Sequence, residues 1–353
     1  MSSPEITLEK IREVLSQVKY PGFSRDIVSF GLLKGVSVEQ EPYGVLLEVT
    51  TTDQDLIGQI VKGAGEALSK LGPKFEIRIS QKNAAQAPAQ PVAGHSQSIP
   101  GIKYIIAVAS GKGGVGKSTV AANLASAFRK MNLKTGLLDC DIYGPSMGLM
   151  FGTAERPHAN EDQTIEPVVQ FGIRLMSMGF LLEADAPAIL RGPIVTRYTQ
   201  QLLKQTRWGD LDVLVLDFPP GTGDIQLTIV QTVALSGAVI VTTPQDIALL
   251  DAKKGVAMFH KTNVPILGIV ENMSYYHCPK CGNREEIFSH GGGKLQAAKM
   301  NVPFLGEVPL DIAIREGGDK GIPVVFGQPE SEHANCFMQI ARNVWTDLEQ
   351  VKK

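Results

Sequence analysis

The sequence predicts an α/β protein whose mainly parallel sheet is flanked by helices, with a small α+β domain ahead of it. Three observations carry this reading. Beyond residue 100, short apolar runs alternate with amphipathic stretches, the pattern of buried parallel strands covered by helices. Residues 1–80 follow a different order, α-β-β-α-β. Between the two, residues 81–100 read QKNAAQAPAQPVAGHSQSIP, an Ala/Gln/Pro-rich stretch without hydrophobic period, which marks a linker. The expected organisation is a small domain over 1–80, a linker over 81–100 and a large domain over 101–353.

In the small domain, Leu8, Ile11, Val14, Leu15 and Val18 recur at helical spacing. Val36 and Val38 alternate, as do Val45, Leu47 and Val49. Leu56, Ile60, Ala64 and Leu68 return to helical spacing, and Phe75, Ile77 and Ile79 close with a strand. In the large domain the expected strands are 104–109, 135–138, 174–178, 213–216, 238–242 and 266–270, with a further run at 302–308. Expected helices span 117–130, 193–206, 224–235, 247–261, 293–300 and 332–349. In such a sheet the ligand sits beyond the carboxyl ends of the strands.

Composition narrows the functional classes. The 353 residues are 43% apolar and 20% charged, a globular balance. A net charge of -2 offers no footprint for nucleic acid or acidic lipid. The opening MSSPEITLEK has no apolar signal core, and no run is long enough to span a membrane. A cytoplasmic protein is expected, with neither nucleic acid nor membrane among its partners. Four cysteines in a chain of this length argue against a disulfide framework.

The most specific motif follows the first large-domain strand. Ser110-Gly111-Lys112-Gly113-Gly114-Val115-Gly116-Lys117-Ser118-Thr119 matches G-x-x-x-x-G-K-[ST] between a strand and a helix. Glycines let backbone N–H groups curl around phosphate oxygens, and the helix N-terminus adds partial positive charge. Lys117 is expected to reach the β- and γ-phosphates of ATP, and the Ser118 hydroxyl to bind Mg²⁺. Two acidic strand ends accompany the loop. Asp139 and Asp141 flank Cys140 after one strand, and alternate positions share a side while a strand continues. Asp217 ends the apolar run 213–216, the Walker B form, and can hold Mg²⁺ through water. The following Phe218-Pro219-Pro220-Gly221-Thr222-Gly223-Asp224 combines stiff and permissive residues, as a γ-phosphate-sensing switch requires. Asp224 also reads as the N-cap of the next helix.

Cys278-Pro279-Lys280-Cys281-Gly282 forms a knuckle whose two thiolates can clamp one metal. Taken alone this is half of a zinc site. A tetrahedral set needs four ligands, and the sequence has no second pair. His277 or His290 can complete a site within one chain. Two copies meeting at a two-fold axis give Cys₄ instead, which suits either zinc or a [4Fe–4S] cluster.

Three resemblances follow from the sequence. Lys112 makes the loop resemble the deviant Walker A form of the MinD/ParA/nitrogenase-iron-protein class. That resemblance implies a homodimer in which Lys112 reaches the partner's nucleotide. With LLDCDIYGPS, MSMGF, RGP, LDFPPGTGD, ENMSYYHCPKCG and GEVPLD in order, the large domain resembles the Mrp/ApbC-type iron–sulfur carrier ATPases over nearly all of residues 100–350. The resemblance implies a P-loop NTPase fold and ATP hydrolysis coupled to binding of a [4Fe–4S] cluster at a dimer interface. It implies delivery of that cluster to apo iron–sulfur proteins, with assembly scaffolds as further partners. It places Asp141 on the attacking water, Asp139 in support of the metal site, and Asn272, Pro309 and Asp311 near the adenine. It also tips Cys278 and Cys281 toward the cluster. The small domain resembles an iron–sulfur-assembly domain through Asp26-Ile27-Val28-Ser29-Phe30-Gly31-Leu32-Leu33. Many members carry a cysteine where residues 50–55 here read TTTDQD, so docking or scaffolding is the expected role. The competing functions are a MinD/ParA-like positioning ATPase and a zinc-stapled nucleotide-binding scaffold. The apolar face Phe337, Ile340, Val344 and Leu348 lies opposite a face of mixed charge, unlike the basic face a membrane helix needs.

Overall fold

The computed structural model describes residues 7–18, 26–28, 32–38, 41–49, 54–81, 98–162, 164–181 and 192–351. The TTTD stretch at 50–53, most of the expected linker, the centre of the Asp26–Leu33 motif, Arg191 and the Asp224 side chain lie outside the described residues. The chain divides into two compact units, Met1–Ala93 and Gly94–Lys353.

The small unit runs α1 (Leu8–Leu15), β1 (Leu33–Ser37), β2 (Tyr43–Val49), α2 (Gln54–Ser69) and β3 (Phe75–Gln81), the order that the spacing predicts. The Thr7 hydroxyl caps α1 by accepting from the Lys10 N–H. Its sheet has the order β1-β2-β3, antiparallel between β1 and β2 and parallel between β2 and β3. Ile11, Leu15, Ile27, Val45, Leu47, Ile60 and Leu68 form its core.

The large unit begins with β4 (Ile102–Ala109), α3 (Lys117–Lys130), β5 (Thr135–Asp139) and α4 (Met147–Met150). Then come β6 (His158–Ala159), β7 (Ile165–Glu166), β8 (Val168–Gln170), β9 (Ile173–Ser177) and α5 (Gly192–Gln205). Next are β10 (Leu211–Asp217), α6 (Asp224–Thr232), β11 (Gly237–Thr242), α7 (Asp246–Lys261) and β12 (Ile266–Asn272). The chain closes with β13 (Tyr276–His277), β14 (Arg284–Glu285), α8 (Gly292–Met300), β15 (Phe304–Val308), α9 (Ile312–Asp319), α10 (Val324–Gly327) and α11 (Glu332–Val351). An eight-stranded sheet has the order β15-β12-β11-β4-β10-β5-β9-β8. Every pairing in it is parallel except the edge pairing of β8 with β9.

Alternation along the strands builds two cores. Ile106, Val108, Leu137, Val213 and Val215 face one way and pack with Phe128 of α3 and with α11. Ile105, Ala107, Leu138, Leu214 and Leu216 face the other way and pack with residues of α5, α6, α7 and α8. The α11 residues Phe337, Ile340, Val344 and Leu348 are all buried in the first core.

The structure adjusts several expected boundaries. β10 and β12 run on to their polar ends at Asp217 and Asn272, because these side chains are themselves buried. The run at 302–308 starts as a strand only at Phe304, after Pro303, which has no N–H to give a ladder. α6 begins at Asp224 with Gly223 in the cap position, so Asp224 is not the N-cap. The short antiparallel β8, the hairpins β6–β7 and β13–β14, and the Gly-containing α9 are too brief or too polar for periodicity to reveal.

Candidate functional site

β10 lies between β4 and β5, so the ends of these strands and the start of α3 converge. The loop after β4 turns through Gly114 and Gly116, both with φ near +80°, and α3 starts at Lys117 behind Gly116. Val115 is buried and anchors the loop. A side chain at Gly111 would collide with the Asp251 backbone of α7, and one at Gly116 with the Asn272 amide. Gly113 and Gly114 are exposed, and Ser118 and Thr119 are half-buried at the first turn of α3. Gly116→Ala combines left-handed strain with this collision. It is expected to cost about 2–4 kcal/mol and to abolish nucleotide binding, read by denaturant midpoint and by nucleotide titration.

Lys117 reaches into the sheet. Its Nζ sits 2.5 Å from Asp217 Oδ1 and 3.2 Å from Ser118 Oγ, with both members of the ion pair buried. Asp217 Oδ2 is buried and has no hydrogen-bond partner. An orphan carboxylate oxygen near the Ser118 hydroxyl fits a divalent cation bound directly or through water, so these residues suit Mg²⁺. Burial pushes the Asp217 carboxyl up, opposed by the charge of Lys117.

Asp217 stands in register with Asp139. One Asp139 oxygen accepts from the Asp141 N–H at 3.0 Å, and the other from the N–H groups of Ser146 and Met147 and the Ser177 hydroxyl. Burial, then repulsion from Asp217, pushes Asp139 up to about 7. The strand ends at Asp139, so Asp141 lies in the following loop, and strand alternation does not place it. Asp141 is half-buried and accepts from the Gly144 N–H at 3.3 Å. Cys140 is fully buried, as an apolar thiol would be.

The raised Asp139 has a consequence for stability. Between its ordinary value of 3.8 and about 7, the folded protein holds a proton that the unfolded chain has released. This contribution is complete below the lower value and is lost as pH rises through the upper one, so stability falls with rising pH between them. Asp139→Asn is expected to flatten that slope, read from urea midpoints of nucleotide-free protein across the window.

The other expected nucleotide residues are gathered by β12 and β15. Asn272, 5% exposed, donates from Nδ2 to the Val115 carbonyl at 2.9 Å. It is in register with Val308, and the Leu310 N–H donates to the Tyr275 carbonyl at 2.7 Å. Buried Pro309 follows directly. Asp311 caps α9 by accepting from the Ala313 N–H and lies 3.3 Å from His333 Nε2. Lys112 is half-buried in the loop and forms no ion pair with any described residue. The segment 218–223 is held by the Gly221 N–H on the Ser110 carbonyl and by Gln226 Nε2 on the Pro219 and Pro220 carbonyls.

Cys278 and Cys281 sit in the turn of the β13–β14 hairpin. The Cys278 N–H donates to the Asn283 carbonyl, and the Gly282 N–H returns to the Cys278 carbonyl. The backbone N–H groups of Lys280 and Cys281 lower the Cys278 thiol, which favours the thiolate a metal needs. Both cysteines are free, Cys278 half-buried and Cys281 exposed. Among the described residues no histidine, carboxylate or further cysteine joins them in a cluster of three donors. His277 lies 3.7 Å from Glu332, and His290 turns to Ser274 and Glu307.

Sequence reasoning missed Glu271. This fully buried carboxylate accepts from the Ser274 hydroxyl at 2.6 Å, the Gly291 N–H at 3.0 Å and the Gly293 N–H. The available signal was a near relative of the one that found Asp217: an acid directly after an apolar run, here 266–270. Glu271, His290 and Glu307 place donor atoms within 4.8 Å of one another. Their lone pairs already meet N–H donors and the Arg284 guanidinium, so the trio reads as a hydrogen-bonded network.

Comparison with known proteins agrees with this geometry. Residues 101–345 match the ParA family described as NUBPL iron-transfer P-loop NTPase, and residues 8–80 match an iron–sulfur cluster assembly protein family. An iron–sulfur cluster carrier protein of Synechocystis is 42% identical over 344 residues, 96% of this chain and 97% of the relative. The iron–sulfur cluster transfer protein NUBPL of Dictyostelium discoideum is 52% identical over 254 residues, 71% of this chain and 79% of the relative. The structure of a nucleotide-binding protein from Archaeoglobus fulgidus in complex with ADP is 38% identical. It covers 67% of this chain and 92% of its own, with a TM-score of 0.59. The cell division ATPase MinD of Pyrococcus furiosus is 26% identical over 69% of this chain and 99% of its own, at a TM-score of 0.53. Strand–loop–helix geometry, acidic strand ends and sequence kinship converge: the chain belongs to the NUBPL iron-transfer P-loop NTPase family.

Proposed function

We propose that this chain is an ATP-dependent carrier of iron–sulfur clusters, which two copies hold between them and pass to apoproteins. The observation that carries the reading is the solvent-facing Cys278/Cys281 pair with no third donor among the described residues. Each chain offers half of a Cys₄ set, and a two-fold axis supplies the other half. Four thiolates suit a [4Fe–4S] cargo, and an exposed bridging position lets a recipient's thiols reach it.

In this reading Gly111, Gly113, Gly114, Val115, Gly116 and Thr119 shape the phosphate cradle. Lys117 leaves Asp217 for the β- and γ-phosphates, and Ser118 with Asp217 holds Mg²⁺. When bound, Mg²⁺ neutralises charge on the phosphates. Lys112 reaches the nucleotide of the partner copy, where a cation supplied in trans makes hydrolysis depend on dimer state. Asp141 orients the attacking water and Asp139 supports the metal side. Asn272, Pro309 and Asp311 form the adenine wall. The small unit at 1–80, joined by the linker at 81–100, docks scaffolds or recipients.

The positioning-ATPase reading has less support. The α11 face that a membrane would need is buried in the core, and no helix among the described residues is long and apolar enough to cross a membrane.

The test is anaerobic reconstitution with iron and sulfide, followed by visible spectroscopy, metal analysis and measurement of particle mass. Broad cluster absorption on a dimer, with four irons for every two chains, is the result expected from a [4Fe–4S] cargo. Zinc without absorption would select the scaffold reading, and a strictly monomeric cluster-free particle would end the carrier reading.

A further inference from the structure

Two neighbouring residues on β12 serve two different places. Asn272 donates to the Val115 carbonyl inside the phosphate loop and fills the space beside Gly116. Glu271 points to the opposite side of the strand. There it ties down the start of α8 through the Gly291 and Gly293 N–H groups, just beyond the cysteine hairpin.

The network continues to the thiols. Ser274 has one hydroxyl proton, which goes to Glu271 at 2.6 Å. His290 Nδ1, 3.1 Å from the same oxygen, is therefore the donor in that contact. The other His290 nitrogen lies 3.5 Å from Arg284 Nη2. Arg284 also approaches Glu307 at 3.6 Å and lies 4.0 Å over the Tyr275 ring. Within the hairpin, Arg284 pairs with His277, the residue before Cys278. A continuous run of contacts thus joins Val115 to the knuckle, and Glu271 sits at its buried centre.

We propose that Glu271 is a positioning residue that transmits the state of the phosphate loop to Cys278 and Cys281. The proposal rests on the carrier reading for its purpose. A shift of the loop on nucleotide binding pulls Asn272 and the end of β12. Glu271 is held rigidly by three donors, so it moves the start of α8 and, through Ser274, His290 and Arg284, the backbone around the thiols. Rigidity matters because a buried carboxylate with satisfied donors cannot absorb the shift by solvating itself. By linkage, occupancy of the thiols must influence nucleotide affinity in return.

The test uses the full chain without iron or sulfide. The alkylation rate of Cys278 and Cys281 by iodoacetamide is measured with and without a non-hydrolysable MgATP analogue, and nucleotide affinity is titrated in parallel. In the unaltered chain the analogue should change the rate by about fivefold or more. In Glu271→Ala that response should collapse toward unity with nucleotide affinity nearly unchanged. Glu271→Gln and the milder Ser274→Ala keep the site filled and should give intermediate responses, so the proposal stays testable if the alanine variant unfolds. A nucleotide-insensitive rate in the unaltered chain would overturn the proposal, as would a full response in all three variants. Neither outcome touches cluster reconstitution, which tests the carrier reading separately.

Discussion

Lys117→Ala is expected to lose ATP turnover by about 10²–10³-fold or more and to lower stability as well. The first effect follows from the loop: Lys117 is the cation at the head of α3 that can meet the β- and γ-phosphates. The second follows from its present partner. Removing the ammonium 2.5 Å from Asp217 Oδ1 leaves a fully buried carboxylate whose other oxygen already lacks a partner. Breaking a buried pair from one side costs about 3–5 kcal/mol. Burial already raises Asp217, so without Lys117 it takes up a proton more readily. The deficit should therefore shrink as pH falls. Phosphate release from the variant and its urea midpoints at two pH values check both parts. Full turnover would remove Lys117 from the chemistry, and an unchanged midpoint would show that the pair opens at no cost.

Cys278→Ala/Cys281→Ala should abolish cluster absorption after reconstitution while sparing nucleotide binding and the fold. The separation is structural. The thiols lie in the turn of a two-stranded hairpin outside the eight-stranded sheet, and the turn's backbone bonds, from the Cys278 N–H to Asn283 and from the Gly282 N–H to Cys278, do not need sulfur. Replacing an exposed and a half-buried thiol removes little buried area, so the melting temperature should hardly move. Iron and sulfide retained at the unaltered stoichiometry would show that the cargo sits elsewhere. A large loss of stability would instead mark the pair as a structural staple.

Much of this architecture was legible because local and global signals agree. The phosphate loop has a sequence pattern that only a strand-to-helix turn satisfies, and Gly116 shows why, since both its positive φ and the nearby Asn272 amide exclude a side chain. The small unit's α-β-β-α-β order came from spacing alone. What stayed hidden depended on distant partners. The role of Glu271 rests on Gly291 and Gly293, twenty or more positions away, and no local pattern announces them. Asp139 and Asp141 looked equivalent as an alternating pair, yet the strand stops at Asp139. The following loop bends back so that its amides bind the first carboxylate. The face of α11 was visible as apolar, but only packing against α3 and the strands showed that it belongs to the core.

The cysteine hairpin enters at Tyr276 and leaves at Glu285, and these two residues are direct cross-strand partners. Entry and exit are therefore adjacent, and the segment between them can be shortened or exchanged without reordering the strands of the large sheet. The thiol-bearing segment is thus a cassette that one local exchange of chain can replace. Arg284 travels inside such a cassette, whereas its counterparts on β12 stay with the host, so a transplant into a cousin lacking Glu271 would import the sulfur without the wiring.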